Sequence, residues 1–254
     1  MYQYIYDKSL ADKRNSKILS ELENRLTDLG IHGRIDRMHP LKSVRESMDD
    51  GLRQGVKTVI AVGGDDTFKR VLDVASNRDL VLGFIPMESG CSFAAALGIP
   101  EGLAACDILS ARLTETLDMG RVNGQYFLTD VSFDATDVTL ECEDRFRVRL
   151  VRGGRISICN IASLGREDTR HLADPFDGYL DAVLAPTAER GLFRRERSEQ
   201  SVLQLKRVVA RSPKPFRFVA DGRELENQTV EIDIADRRVK VIIGKGRLFA
   251  RSSQ

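Results

Sequence analysis

Apolar and polar positions alternate with two different periods along this chain, and the change of period divides it in two. In the first part, short apolar runs are separated by stretches with helical spacing. Tyr2 to Tyr6 reads as a strand, and Ile18, Leu19, Leu22, Leu26 and Leu29 then recur on one helical face until Gly30 stops them. Ser43 and Glu46 have capping-box spacing ahead of Val44, Met48 and Leu52, which share a face of a second helix. A strand over Thr58 to Val62, a helix over Phe68 to Ala75, a strand over Leu80 to Ile85 and a helix over Ser92 to Leu97 continue the series. Such alternation predicts a parallel sheet covered on both faces.

Beyond about Leu117 the period falls to two. Phe146, Val148 and Leu150 alternate with Arg145, Arg147 and Arg149, and the pattern returns at Ile156 and Ile158. Val230, Ile232 and Ile234 read as one further strand, and Val239, Val241 and Ile243 as another. Half-buried strands of this kind predict a mainly antiparallel β-sandwich. The expected organisation is an α/β domain with a parallel sheet over residues 1–116 and a mainly-β domain over residues 117–254, the last strand being free to return to the first domain. The nearest thing to a linker is the charged segment Glu189 to Gln200. The Arg145, Arg147 and Arg149 ladder reads as the solvated face of a strand.

Charge sharpens this division. The formal net charge is only +1, so no whole-molecule field points toward nucleic acid or an anionic membrane. Residues 1–150 carry 19 basic and 24 acidic side chains, whereas residues 151–254 carry 20 and 14, so the two parts differ in role as well as in fold. Cys91, Cys106, Cys142 and Cys159 form no CxxC pair and have no histidine at ligand spacing, which argues against a zinc site. The N-terminus lacks the zones of a signal peptide and no apolar run approaches the ~20 residues that span a bilayer. The expectation is a cytoplasmic protein with reduced thiols.

The candidate chemistry starts at Gly63-Gly64-Asp65-Asp66-Thr67, between a strand and a helix. Two glycines let backbone amides approach a ligand, and the helix N-terminus adds partial positive charge, so an anion is the natural guest.

Four further segments follow in order: Pro86-Met87-Glu88-Ser89-Gly90-Cys91-Ser92-Phe93-Ala94 with Leu97-Gly98-Ile99; Asp118, Gly120 to Asn123 and Tyr126-Phe127; Asp174-Pro175-Phe176-Asp177-Gly178-Tyr179-Leu180-Asp181; and Asp221-Gly222. With the Gly63 loop they resemble, over most of the chain, the catalytic domain of the diacylglycerol kinase family, bacterial lipid kinases above all. NAD kinases share the Gly-Gly-Asp loop and are the nearest competitor, but Phe93-Ala94 to Ile99 and Asp177-Gly178 fit lipid kinases better. The resemblance implies a two-domain protein that binds ATP and Mg²⁺ and transfers a phosphoryl group to a lipid hydroxyl. In that scheme Gly63, Gly64, Asp66, Thr67, Ser89 and Gly90 line the nucleotide site, and Asp65 is the acid associated with metal and nucleotide. Asp177 belongs to a supporting acidic network near Mg²⁺.

Departures from the family pattern fall on the same segments. Asp66 replaces a third loop glycine. A carboxylate ~5 Å from a phosphate charge costs about 3 kcal/mol at an effective dielectric near 20, and Asp tolerates the left-handed backbone that a glycine there implies. Lys69 and Arg70 replace an Asn-Glu pair and offset Asp66 in part. Glu88-Ser89-Gly90-Cys91-Ser92 replaces Gly-Thr-Gly-Asn-Asp, and Cys91 reads as a small buried thiol rather than a nucleophile. Asp7 stands where an Asn-Pro pair is usual. Arg223 replaces the acid of the late Asp-Gly-Glu turn, the family's general base, and Glu224 lies one residue later, where a turn would let it reach and a strand would turn it to the opposite face.

Two readings stay open on the sequence: an active Mg²⁺-dependent lipid kinase with Asp65 and Glu224 as catalytic groups, and a non-catalytic relative that binds nucleotide, lipid or a protein partner. NAD phosphorylation is third. The basic cluster Arg190, Arg194, Arg195, Arg197, Lys206, Arg207 and Arg211 is a candidate for peripheral docking on anionic lipid, and lacks the interleaved aromatics of a nucleic-acid surface. The acceptor and the oligomeric state, homo-oligomers included, are left open.

Overall fold

The computed structural model describes residues 1–39, 43–151, 153–162, 171–187 and 200–249. Arg190, Arg194, Arg195 and Arg197 of the basic cluster therefore lie outside the described residues. The chain forms two compact units, Met1–Leu117 with Arg237–Leu248, and Asp118–Asp236 with Phe249–Gln254.

The first unit is a parallel sheet with helices. Its strands are β1 (Tyr2–Tyr6), β2 (Gly33–Arg37), β3 (Thr58–Gly63) and β4 (Val81–Pro86), in the order β2-β1-β3-β4. Every pair is parallel. Helices α1 (Ser16–Asp28), α2 (Val44–Arg53), α3 (Asp65–Ala75), α4 (Ser92–Leu97) and α5 (Ala105–Ala111) alternate with them. The capping box forms as its spacing predicts: Ser43 accepts from the Glu46 amide and Glu46 returns to the Ser43 amide. Polar β2 and the short α5 carry too little periodicity to be read from the sequence. Helix α3 begins at Asp65, three residues before the expected start at Phe68, because Gly64 caps it and two acids suit its first turn.

Residues 92–111 are long and apolar enough to cross a membrane by length and composition, contrary to the sequence expectation. They fold instead as α4, a 3-10 turn and α5, separated after Leu97 by Gly98 at φ +68°. Phe93, Leu97, Cys106 and Leu109 are fully buried. A Cβ on Gly98 would stand 2.3 Å from the Arg247 amide nitrogen, so the C-terminal segment packs directly on this break. The Gly244 and Leu248 amides donate there to Leu97 and Ala96.

The second unit is mainly antiparallel. It contains the end of β5 (Thr114–Val122), β6 (Gln125–Phe127), β7 (Asp130–Asp134), β8 (Thr139–Cys142), β9 (Phe146–Val148) and β10 (Gly154–Cys159). β11 (Leu180–Pro186), β12 (Ser201–Leu205), β13 (Arg207–Ala220) and the first part of β14 (Arg223–Ile242) complete it. β13 breaks register between Arg211 and Phe216; its first half pairs with β8 and its second with β7. A bulge of this kind bends a strand. Leu140, Val208 and Ala210 from one half meet Phe133, Ile156, Leu184 and Phe218 from the other in one apolar core, as the sandwich expectation requires.

Two expectations need correction. β9 covers only Phe146–Val148, so Leu150 lies beyond it. Val230 to Ile234 and Val239 to Ile243 are not two strands but parts of β14, which ends at Ile242. No turn residue interrupts it. Its buried positions instead change parity, from Val230 and Ile232 in the second unit to Val239 and Val241 in the first, where Lys240 and Val241 run parallel to Val81 and Leu82.

Phe68 of α3 lies 4.8 Å from the Phe84 ring of β4 and 4.6 Å from the Phe93 ring of α4, all three fully buried. Phe68→Ala is expected to cost about 3–5 kcal/mol through lost contacts and a cavity, read as a lower urea midpoint with unchanged slope.

Candidate active site

β3 is buried along its whole length and delivers Gly63 at its end with φ +152°, a backbone that favours glycine. A Cβ there would lie 2.8 Å from Asp7 Cβ and 2.9 Å from Thr67 Oγ1. Thr67 donates its hydroxyl to Asp7 Oδ2 at 2.5 Å, and the Ser9 amide donates to Oδ1 at 2.8 Å. Burial raises the Asp7 carboxyl, but the Thr67 and Ser9 hydrogen bonds and the Arg70 cation outweigh it and hold it below its ordinary range. The departure at Asp7 thus anchors the loop. Asp66 is exposed in the first turn of α3 and is absent from the positive-φ residues, so this position makes no left-handed demand, contrary to expectation.

Asp65 connects the two glycine loops. Its Oδ2 accepts from the Ser92 amide at 2.6 Å and the Ser92 hydroxyl at 2.5 Å, and its Oδ1 from the Phe93 amide at 3.2 Å. It caps α4 from a neighbouring helix, a role the sequence does not disclose. Two other carboxylates lie on the loops. The position of a Cβ on Gly64 would be 2.1 Å from Glu88 Oε2, so the Glu88 carboxylate covers that glycine. Glu101, which carries no signal in the sequence, accepts from the Gly90 amide at 3.0 Å and from Ser89 Oγ at 3.1 Å. Burial, then the Asp65 and Glu88 charges, push the Cys91 thiol up to about 11, which agrees with its reading as an inert thiol.

In the second unit, the later motifs join one polar network. Asp118 accepts from the Gly178 amide at 2.9 Å, and its own amide donates to Pro175 O at 2.8 Å. Buried Asn160 donates to Asp118 O and Leu128 O, both at 2.9 Å. Asp221 accepts from the Leu128 and Thr129 amides and from the Thr129 hydroxyl, the last two at 2.7 Å. Asp177 is exposed; its Oδ1 accepts from the Tyr179 amide at 2.8 Å and its Oδ2 from Gln204 at 3.2 Å. Burial and the charges of Asp174, Asp181 and Asp118 raise its carboxyl despite the Tyr179 bond. Among the described residues no three His, Cys, Asp or Glu side chains are grouped to hold a metal.

Asp221-Gly222 is a two-residue hairpin turn with φ +48° and +79°, so Arg223 and Glu224 already belong to β14. Of the two outcomes the sequence allowed for Glu224, the strand is realised. It pairs in register with Val219, on the face opposite core residues Phe218 and Leu225, and its carboxylate is 3.4 Å from Arg217 in an exposed ion pair. Asp130 shares that face one rung away, in line with Cys159 and Asp181 across β7, β10 and β11.

Residues 4–122 match the diacylglycerol kinase catalytic domain. The stretch contains both glycine loops and their carboxylates. Over 88 residues the chain is 38 % identical to a diacylglycerol kinase of Bacillus subtilis, covering 30 % of this chain and 29 % of that protein. A probable lipid kinase YegS-like of Klebsiella pneumoniae is 28 % identical over 54 % of this chain and 48 % of its own length. The corresponding figures for a probable lipid kinase YegS of Salmonella heidelberg are 29 %, 52 % and 46 %. The chain thus matches half or less of the length of these relatives. Two crystal structures of diacylglycerol kinases from Bacillus anthracis, one described as putative, superpose with TM-scores of 0.71 and 0.75 over 96 % of this chain and 97 % of theirs, at 15 % identity. That likeness extends the diacylglycerol kinase fold to both units.

Against the diacylglycerol kinase pattern, the residues missed from sequence are Glu101, Thr129, Asp130 and Asn160. Only Asn160, a polar residue next to the apolar run Ile156 to Cys159, left a signal. Asp65→Ala removes three hydrogen bonds to the α4 start and is expected to destabilise the first unit by about 1–3 kcal/mol, with faster amide exchange at Ser92 and Phe93. Burial and then the Asp221 charge, opposed by Arg155, push the Asp130 carboxyl up to about 7. Folded protein then holds this proton more tightly than unfolded chain, so stability falls as pH rises from about 4 to about 7. Asp130→Asn is expected to match the parent below pH 4 and to exceed it by about 4 kcal/mol above pH 7, measured by denaturant unfolding across that window.

Proposed function

We propose that the chain binds a nucleoside triphosphate with Mg²⁺ at the Gly63-Gly64 loop and transfers phosphoryl groups to a lipid hydroxyl, slowly by comparison with an intact site. The observation that carries this reading is the loop: a buried strand ends in a glycine with positive φ and opens the eleven-residue helix α3 at its amide end. Charge decides the form of the ligand. Asp65, Asp66 and Glu88 gather around the same loop, and each carboxylate ~5 Å from a phosphate opposes it by about 3 kcal/mol. A bare triphosphate does not fit that set. Its complex with a hard divalent cation does, because such cations take oxygen ligands and bind through one or two carboxylates plus substrate phosphate.

Exposed Asp66 and Glu88 would hold the cation, while Asp65 remains engaged with Ser92 and Phe93. Bound MgATP supplies the phosphoryl group. The chain's own residues do the positioning: α3 presents first-turn amides, Asp65 keeps the second loop in register with the first, and Arg70 adds positive charge one turn on. The second reading, a relative that binds without transfer, draws on one observation: Glu224 lies on the face opposite core residues Phe218 and Leu225, paired with Arg217.

Calorimetry with ATP, in the presence and absence of Mg²⁺, tests the proposal. Binding is expected only with Mg²⁺, and Glu88→Gln is expected to weaken MgATP binding while tightening Mg²⁺-free ATP binding about tenfold, equivalent to ~1.4 kcal/mol. Transfer of labelled phosphate to a diacylglycerol, sphingoid or isoprenoid alcohol then separates the readings: binding without transfer favours the second, and no binding at millimolar MgATP ends both nucleotide readings.

A further inference from the structure

We propose that the β8–β9 hairpin and the adjoining part of β13 form a docking surface for an anionic lipid bilayer. Cross-strand register puts Glu141 beside Arg147 and Thr139 beside Arg211 on the face away from the core. Glu141 accepts from both Arg147 and Arg211, each at 2.9 Å, so one carboxylate faces two guanidinium groups. Arg149 pairs with Asp137 at 2.9 Å. The arginine side chains are 74 %, 51 % and 59 % exposed, and ion pairs so exposed hold little free energy. The same guanidinium groups can exchange a carboxylate for a lipid phosphate, which they bind through two parallel hydrogen bonds.

Shape and apolar surface agree with this. Arg147, Arg149 and Arg211, with Asp137 and Glu141, line a cleft of about 380 Å³, and Arg145, Phe146 and Arg147, with Glu141 and Asp144, a second of about 450 Å³, each roomy enough for a headgroup. Phe146, 45 % exposed, lines the second cleft at the turn end of the hairpin. An exposed aromatic side chain beside arginines suits a bilayer interface, where the ring enters the acyl boundary and the cations remain at the phosphates. Over residues 137–151 and 206–214 bases outnumber acids seven to four. Of the basic cluster seen in the sequence, Arg211 belongs to this surface and Arg207 pairs with Asp144 beside it, whereas Lys206 lies over the Tyr179 ring. The choice of a bilayer over other anionic partners rests on the proposed action on a lipid.

Vesicle sedimentation of the full chain, without nucleotide, tests the inference. Vesicles containing roughly one third phosphatidylglycerol in phosphatidylcholine should bind the protein, with loss of binding as salt rises, and pure phosphatidylcholine should not. The double substitution Arg147→Glu with Arg149→Glu should lower the bound fraction at least tenfold, Arg147→Gln with Arg149→Gln by less, and Phe146→Ser several-fold. Arg14→Glu, on an exposed pair in the first unit, should change nothing. Thermal unfolding confirms that each variant folds. Undiminished binding by the charge-reversed variant, or no binding to anionic vesicles by the parent, overturns the docking surface. MgATP binding measured on the same samples distinguishes the two proposals: its absence beside intact vesicle binding overturns only the nucleotide reading.

Discussion

The arrangement of the first unit depends on the Asp65 carboxylate. Helix α4 is too short to be stable by itself, and its first amides need an acceptor. Asp65 supplies both oxygens from the first turn of α3, so the loop after β3 and the loop after β4 are set by one side chain. Phe68, one turn further along α3, packs on Phe93 of the same short helix. A polar clamp and an aromatic contact thereby fix α4 from two adjacent turns, and Gly98 lets the returning C-terminal segment close on its other end.

Once that clamp is in place, the remaining acids determine what the loops can accept. Glu88 lies over Gly64 and Glu101 occupies the Gly90 amide and the Ser89 hydroxyl. Two glycine loops are thus lined by carboxylates of the chain itself. A phosphate added there has to displace them or be accompanied by a cation.

In the second unit a different constraint governs. Buried Asp118, Asn160 and Asp221 satisfy backbone groups at the starts of strands and turns, and an unpaired group in such a place costs about 1–3 kcal/mol. Motifs far apart in sequence therefore meet because they complete one another's hydrogen bonds. The same tight Asp-Gly turn that secures Asp221 sends Arg223 and Glu224 directly into β14, and so fixes Glu224 opposite Val219, where it pairs with Arg217.

The sequence by itself determined the elements whose period is long or whose ends are marked: β1, α1, the Ser43 capping box, β3, β4 and α4, together with the change from parallel to antiparallel strands. Local physics suffices there, since spacing dictates the buried face and cap residues dictate the ends. It also carried the family resemblance, because glycine loops and Asp-Gly turns are local. Only the tertiary structure decided what side chains touch. Asp65 spans 27 residues to Ser92, Glu101 reaches back 11 to Gly90, and Asp221 meets Thr129 across 92. Such distances have no periodic trace. The long β14 was hidden for a related reason: its buried face changes parity where it passes from one core to another, and a one-residue change of phase in sequence looks like a break.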